Sequence, residues 1–161
     1  PLQLQNDVKM IHQGCYFTYQ QDSTYYLYIN EVGIGSSYFY KDEPLYGRSG
    51  IMGEIGLISL KGKTINQQIR ECQNQEEFNE ILSLLLSMVF TMIDPKRLEL
   101  SLDLKWRYEE NIIEKVLNEI NQSCFENLYF HEDVSSMLFD GLVYRGVVYL
   151  LKERIERNEK I

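Results

Sequence analysis

Hydrophobic positions recur along this chain with two periods, and the alternation between them sets out an α/β order. Val8, Ile11 and Cys15 fall at helical spacing behind Asn6 and Asp7, either of which can cap a helix running to about Tyr19. Gln20 to Thr24 is a polar loop. Tyr25 to Asn30 reads as a strand, Gly33-Ile34-Gly35 as a turn and Ser37 to Tyr40 as its hairpin partner. A Lys41-Asp42-Glu43 turn and a short Pro44-Leu45-Tyr46 segment lead into a glycine-punctuated loop from Gly47 to Gly56. Leu57 to Leu60 reads as strand.

From Thr64 the pattern is helical, interrupted around Gln73-Asn74-Gln75. Glu76 to Ile93 is apolar nearly all round in its second half and predicts a buried helix against a sheet, ended by Asp94-Pro95. Leu98, Leu100, Leu102 and Leu104 alternate with Glu99, Ser101 and Asp103, the period of a strand with one wet face. Ile112, Ile113, Val116, Leu117 and Ile120 make an amphipathic helix, and Leu128 to Phe130 a short strand. Asp133 to about Asn158 is a long helix, broken near Asp140-Gly141, that buries Leu138, Leu142, Val147, Leu150 and Leu151. Without repeats, low-complexity segments or linkers, residues 1–161 read as one α/β domain, a mixed sheet flanked by helices.

Composition narrows the function. A chain of 161 residues buries about 70% of its unfolded surface. The net charge of −8 argues against a grip on a phosphate backbone, which needs clustered Lys and Arg. Lys152, Arg154, Arg157 and Lys160 are interleaved with Glu153, Glu156 and Glu159, as on a solvated helix end. Cys15, Cys72 and Cys124 are odd in number and far apart, with only His12 and His131 to supply imidazole. They read as reduced, structural thiols of a cytoplasmic protein with no metal site. The run from Ile81 to Ile93 is too short to span a bilayer, and no signal peptide is present. An opening Pro1 in place of methionine suggests a piece of a longer chain.

Six glycines surround one acid, Glu54, between residues 31 and 56. Glycine weakens a strand and adds nothing to a core, so such clusters mark turns or close backbone approach. Read from residue types alone, Asn6-Asp7 is a helix cap, Glu54 an exposed loop acid, and Gly33 with Gly35 a plain hairpin turn.

The order helix, hairpin, glycine loop with Gly53-Glu54-Ile55-Gly56, buried helix, Asp94-Pro95, strand, helix, strand and long helix resembles the second half of a ROK-family protein. Asn6-Asp7, Gly33-Ile34-Gly35, Tyr46-Gly47 and Gly146 carry the rest of the likeness, which covers nearly the whole chain. The family comprises sugar kinases and sugar-responsive transcriptional repressors on the actin–hexokinase fold. The resemblance therefore implies the C-terminal lobe of that ribonuclease-H-like fold. It implies Asn6, Asp7 and Glu54 as sugar-hydroxyl ligands, with Asp7 at the position of the kinase's catalytic base. It places Gly33 and Gly35 in a turn that faces nucleotide phosphates in kinases.

Four departures qualify that likeness. Leu57 stands where the family has histidine after G-E-I-G. The cysteine-rich zinc motif with its sugar-contacting glutamate is missing, and residues 58–80 hold only Cys72. The helical stretch before Asp94-Pro95 is shorter. Ser101-Leu102-Asp103-Leu104-Lys105-Trp106 stands where paired glycines admit a nucleotide. The implied role is the effector-sensing, dimerising part of a regulator, with no cofactor, no ATP site and a zinc-free site for a sugar or sugar phosphate. DNA would be contacted only by a preceding segment. Two other readings stay open: a fragment of a divergent sugar kinase, and a ligand-free assembly module.

Overall fold

The segment read as a strand from Tyr25 forms the middle of the sheet. A computed structural model describes residues 7–19, 22–41, 43–109, 111–112 and 128–158. Its elements in chain order are α1 (Asp7–Tyr19), β1 (Ser23–Asn30), β2 (Ile34–Tyr40), β3 (Glu43–Pro44) and a 3₁₀ turn at Ile55–Leu57. Then come β4 (Ser59–Leu60), β5 (Lys63–Thr64), α2 (Ile65–Glu71), α3 (Gln75–Met92), β6 (Arg97–Asp103), β7 (Leu128–His131) and α4 (Ser135–Asn158). The main sheet runs β3-β2-β1-β6-β7, and β4-β5 is a separate hairpin. β1 pairs antiparallel with β2 and parallel with β6, which pairs parallel with β7, so the sheet is mixed.

The starts of α2 and α3 have a local cause. Thr64 accepts from the Gln67 N–H while the Gln67 side chain returns to the Thr64 N–H, a reciprocal cap on α2. Asn74 caps α3 through Glu77 N–H. At the far end of α3, Asp94 takes a left-handed φ of 49°, which a short polar side chain tolerates, and the chain turns into β6.

The sheet buries both faces. Tyr25, Leu27 and Ile29 pack with Ile65, Phe78, Leu82, Leu85, Leu86 and Val89 under α2 and α3. On the opposite face Tyr26 packs with Val8, Ile11 and Cys15 of α1, backed by Met137 and Leu138 of α4. α1 and α4 cross backbone to backbone. A Cβ at Gly14 would collide with the Met137 carbonyl, and one at Gly141 with the Met10 carbonyl.

Three sequence expectations are corrected here. α4 runs unbroken through Asp140-Gly141, because that glycine serves the crossing with α1 and does not end the helix. Leu142, Val147, Leu150 and Leu151 are exposed, by 53%, 49%, 65% and 54%, since α1 covers only the side of α4 that carries Gly141. β6 is dry on both faces from Arg97 to Ser101, where Glu99 and Ser101 are as buried as Leu98 and Leu100, and only Asp103 at its end is exposed among its polar residues. The Arg97 guanidinium and the His131 ring hold the two Glu99 oxygens, and Ser101 Oγ accepts from the Tyr26 hydroxyl at 2.8 Å. The amphipathic helix expected through Ile113, Val116, Leu117 and Ile120 lies outside the described residues, as does Cys124.

Candidate functional site

The candidate site is built against β2 where its neighbour strand stops. The β2–β3 ladder covers only Phe39 and Tyr40, leaving the start of β2 to loops. Two of the segments singled out in the sequence meet there, from opposite faces of the sheet. The first turn of α1 lands on Gly35, where an added Cβ would strike the Val8 side chain. The glycine loop lands on the next residue: Ser36 Oγ donates to the Gly53 carbonyl, and the Tyr25 hydroxyl donates to Ser36 Oγ at 2.9 Å. Gly53 needs its left-handed φ of 91° to turn there.

Glu54 follows this anchored glycine. Its backbone N–H bonds the Ile51 carbonyl at 3.1 Å and its carbonyl accepts from Leu57 N–H at 3.1 Å. Its side chain is half-buried and makes no hydrogen bond among the described residues. Burial pushes the Tyr25 hydroxyl up to about 12, the Ser36 hydrogen bond opposes this, and the Glu54 charge adds to it. Asn6 lies outside the described residues, and Asp7 is described only as the first residue of α1.

The Gly33 turn is closed by its own chain. Asn30 Oδ1 accepts from Val32 N–H at 2.9 Å and Gly33 N–H at 3.1 Å, and Asn66 Oδ1 accepts from Ile34 N–H at 2.7 Å. Asn66 explains two glycines at once, since its carboxamide presses on both Gly33 and Gly56. Sequence reasoning missed it: the glycine spacing announced a close approach but not what approaches. Next to this turn, Asn30, Glu31, Val32, Asp103 and Leu104 line a cavity of about 320 Å³ at the carboxyl ends of β1 and β6. That is where open α/β sheets hold ligands, but here Asp103 and Glu31 face any incoming phosphate with negative charge.

Leu57, where the resemblance implied histidine, is 58% exposed. Cys72 is buried and donates to the Gln68 carbonyl at 3.3 Å, and burial raises its thiol. A different grouping brings donor atoms together: Cys15, Glu99 and His131 place a sulfur, a carboxylate oxygen and an imidazole nitrogen within 4.8 Å of one another. No motif spacing announces it, because the three lie on α1, β6 and β7. Glu99 already binds Arg97 and His131, and burial drives the Cys15 thiol well above its ordinary range, so the group closes as a charge network. His12 is fully buried and spans Ser37 Oγ at 2.6 Å and Thr24 Oγ1 at 2.8 Å. Burial lowers its pKa to about 3 against a small opposing effect of Ser37.

No protein-family model and no curated relative matches this chain. Solved structures do. A ROK family protein from Streptococcus pneumoniae TIGR4, in complex with sucrose, has a TM-score of 0.65 at 16% identity over 94% of this chain and 66% of its own. The inorganic polyphosphate/ATP-glucomannokinase from Arthrobacter sp. strain KM gives 0.60 at 12% identity, over 91% and 57%. The ROK hexokinase from Thermus thermophilus gives 0.58 at 15%, over 86% and 62%. At these identities the likeness establishes the fold, that of ROK and hexokinase-type proteins. The chain spans less than two thirds of the length of each. Among the described residues no helix is long and apolar enough to cross a membrane.

Proposed function

We propose that this chain is a carbohydrate-binding lobe that senses a sugar effector and is not itself a phosphotransferase. Glu54 carries the reading: a half-buried carboxylate with no side-chain partner among the described residues, next to a glycine anchored on Ser36. Such a group accepts hydrogen bonds from adjacent hydroxyls without competing as a donor. Asp7, the first residue of the helix that lands on Gly35, and its sequence neighbour Asn6 would supply the remaining hydroxyl contacts, as the family resemblance implies. The acids Glu31 and Asp103 at the strand ends, and bulky residues where a nucleotide needs glycines, argue against ATP chemistry. In the intact protein the sugar would favour one arrangement of this lobe, its symmetry mate and a preceding DNA-binding segment.

Isothermal titration of the chain against neutral hexoses, amino sugars and their 6-phosphates tests the proposal. Binding that Asp7→Ala and Glu54→Ala each weaken about tenfold or more, with unchanged far-UV circular dichroism, supports it. No binding by any sugar refutes it. The kinase reading draws on the kinases among the structural neighbours and predicts phosphate transfer from ATP to a hexose.

A further inference from the structure

α4 carries an apolar face that nothing among the described residues covers. Phe139, Leu142, Val143, Val147, Leu150 and Leu151 are each between 49% and 65% exposed. They recur at intervals of three and four, so they form one stripe, on the side of α4 away from the Gly141 crossing with α1. Single exposed hydrophobics are ordinary, but a continuous stripe marks an interaction surface. On the order of 100 Å² of each side chain is open, which amounts to about 600 Å² per copy and about 1,200 Å² for a pair, the lower end of specific interfaces. Two exposed charges, Asp140 and Arg154, frame the stripe at opposite ends.

We infer that α4 pairs with α4 of a second copy of this chain, the two helices antiparallel about a two-fold axis level with residues 146–147. That register sets Leu142 against the partner's Leu151 and Val143 against the partner's Leu150. It also brings Asp140 level with the partner's Arg154, so an acid meets a guanidinium at each end of the seam. A parallel pair would set Asp140 on Asp140 and Arg154 on Arg154, and would align the two helix dipoles. A face that matches itself in this way closes after two copies. The inference does not depend on the carbohydrate reading: it gives the symmetry mate named there a surface, and none of its residues belongs to the Glu54 loop.

Analytical ultracentrifugation of the 161-residue chain tests this. Between about 1 and about 100 µM the mass should rise from 19.1 kDa towards twice that value, with a dissociation constant in the micromolar range. Leu150→Glu, at a position 65% exposed, should keep the far-UV circular dichroism and weaken the dimer about tenfold or more. Met92→Glu, 73% exposed at the end of α3, should leave it unchanged. Asp140→Arg should weaken association several-fold, and Asp140→Arg combined with Arg154→Asp should restore it. Should Leu150→Glu fail to fold, the charge exchange alone decides. A chain that stays at 19.1 kDa at about 100 µM overturns the inference and leaves the face to another partner. A dimer indifferent to folded Leu150→Glu overturns the choice of surface, and one indifferent to the charge exchange overturns the antiparallel register. Association that runs past two copies overturns the two-fold. A monomer that still binds a sugar leaves the carbohydrate reading standing.

Discussion

The two faces of the sheet are built on different principles. Under α2 and α3 the interior is a continuous apolar cluster around Phe78, Leu82, Leu85 and Leu86. Under α1 and α4 the buried apolar cluster among the described residues is smaller, Val8, Ile11, Cys15 and Tyr26 with Phe39 against the His12 ring, and buried polar groups share that interior. His12 sits there between two hydroxyls, and Glu99 between Arg97 and His131. The first face stabilises by area and packing; the second holds buried charges whose value depends on their partners.

Truncation separates the faces most sharply. Phe78→Ala should cost about 3–5 kcal/mol in urea unfolding through the cavity it leaves, with little dependence on pH or salt. Glu99→Ala should cost a similar amount for an unlike reason, since it leaves the Arg97 guanidinium buried without its carboxylate. Replacing Arg97 as well, with Met, should recover much of that loss. Additive losses in the Arg97/Glu99 pair would erase the distinction drawn between the faces.

Acid comes next. His12 is held neutral, with its folded pKa lowered to about 3, whereas in the unfolded chain it takes up a proton near 6.5. Stability from this group is complete above pH 6.5 and falls as pH drops below it, by up to about 1.4 kcal/mol per unit. Unfolding measured from pH 7 to pH 5 should show that slope, and His12→Gln should flatten it. The smallest test compares two glycines of α4. Gly141→Ala should destabilise by about 1–3 kcal/mol by pushing α1 away. Gly146→Ala meets nothing within 4 Å and should stabilise by about 0.5–1 kcal/mol.

The apolar face was legible in the sequence and the polar one was not. Helical and strand periods and Asp94-Pro95 located α1, β1, β2, α2, α3 and β6, because each depends on neighbours in the chain. Glu99 defeated the reading. An acid that alternates with leucines looks the same whether it meets water or an arginine and a histidine, and His131 lies 32 residues away. Gly141 looked like a helix break because its reason, the Met10 carbonyl, belongs to the other end of the chain. Of the site, the glycine loop and Glu54 were visible as a cluster. Asn66 was not, since an asparagine in a helix carries no sign of what it will touch.

The Asn66 carboxamide has a mechanical consequence. A single side chain from α2 is wedged against the turn before β2 and the turn after Glu54, with no slack segment between them. The hairpin tip and the acid's loop are thereby geared to one another. Enlarging or removing the Asn66 side chain would disturb both turns together, the one beside Asp103 and the one after Glu54.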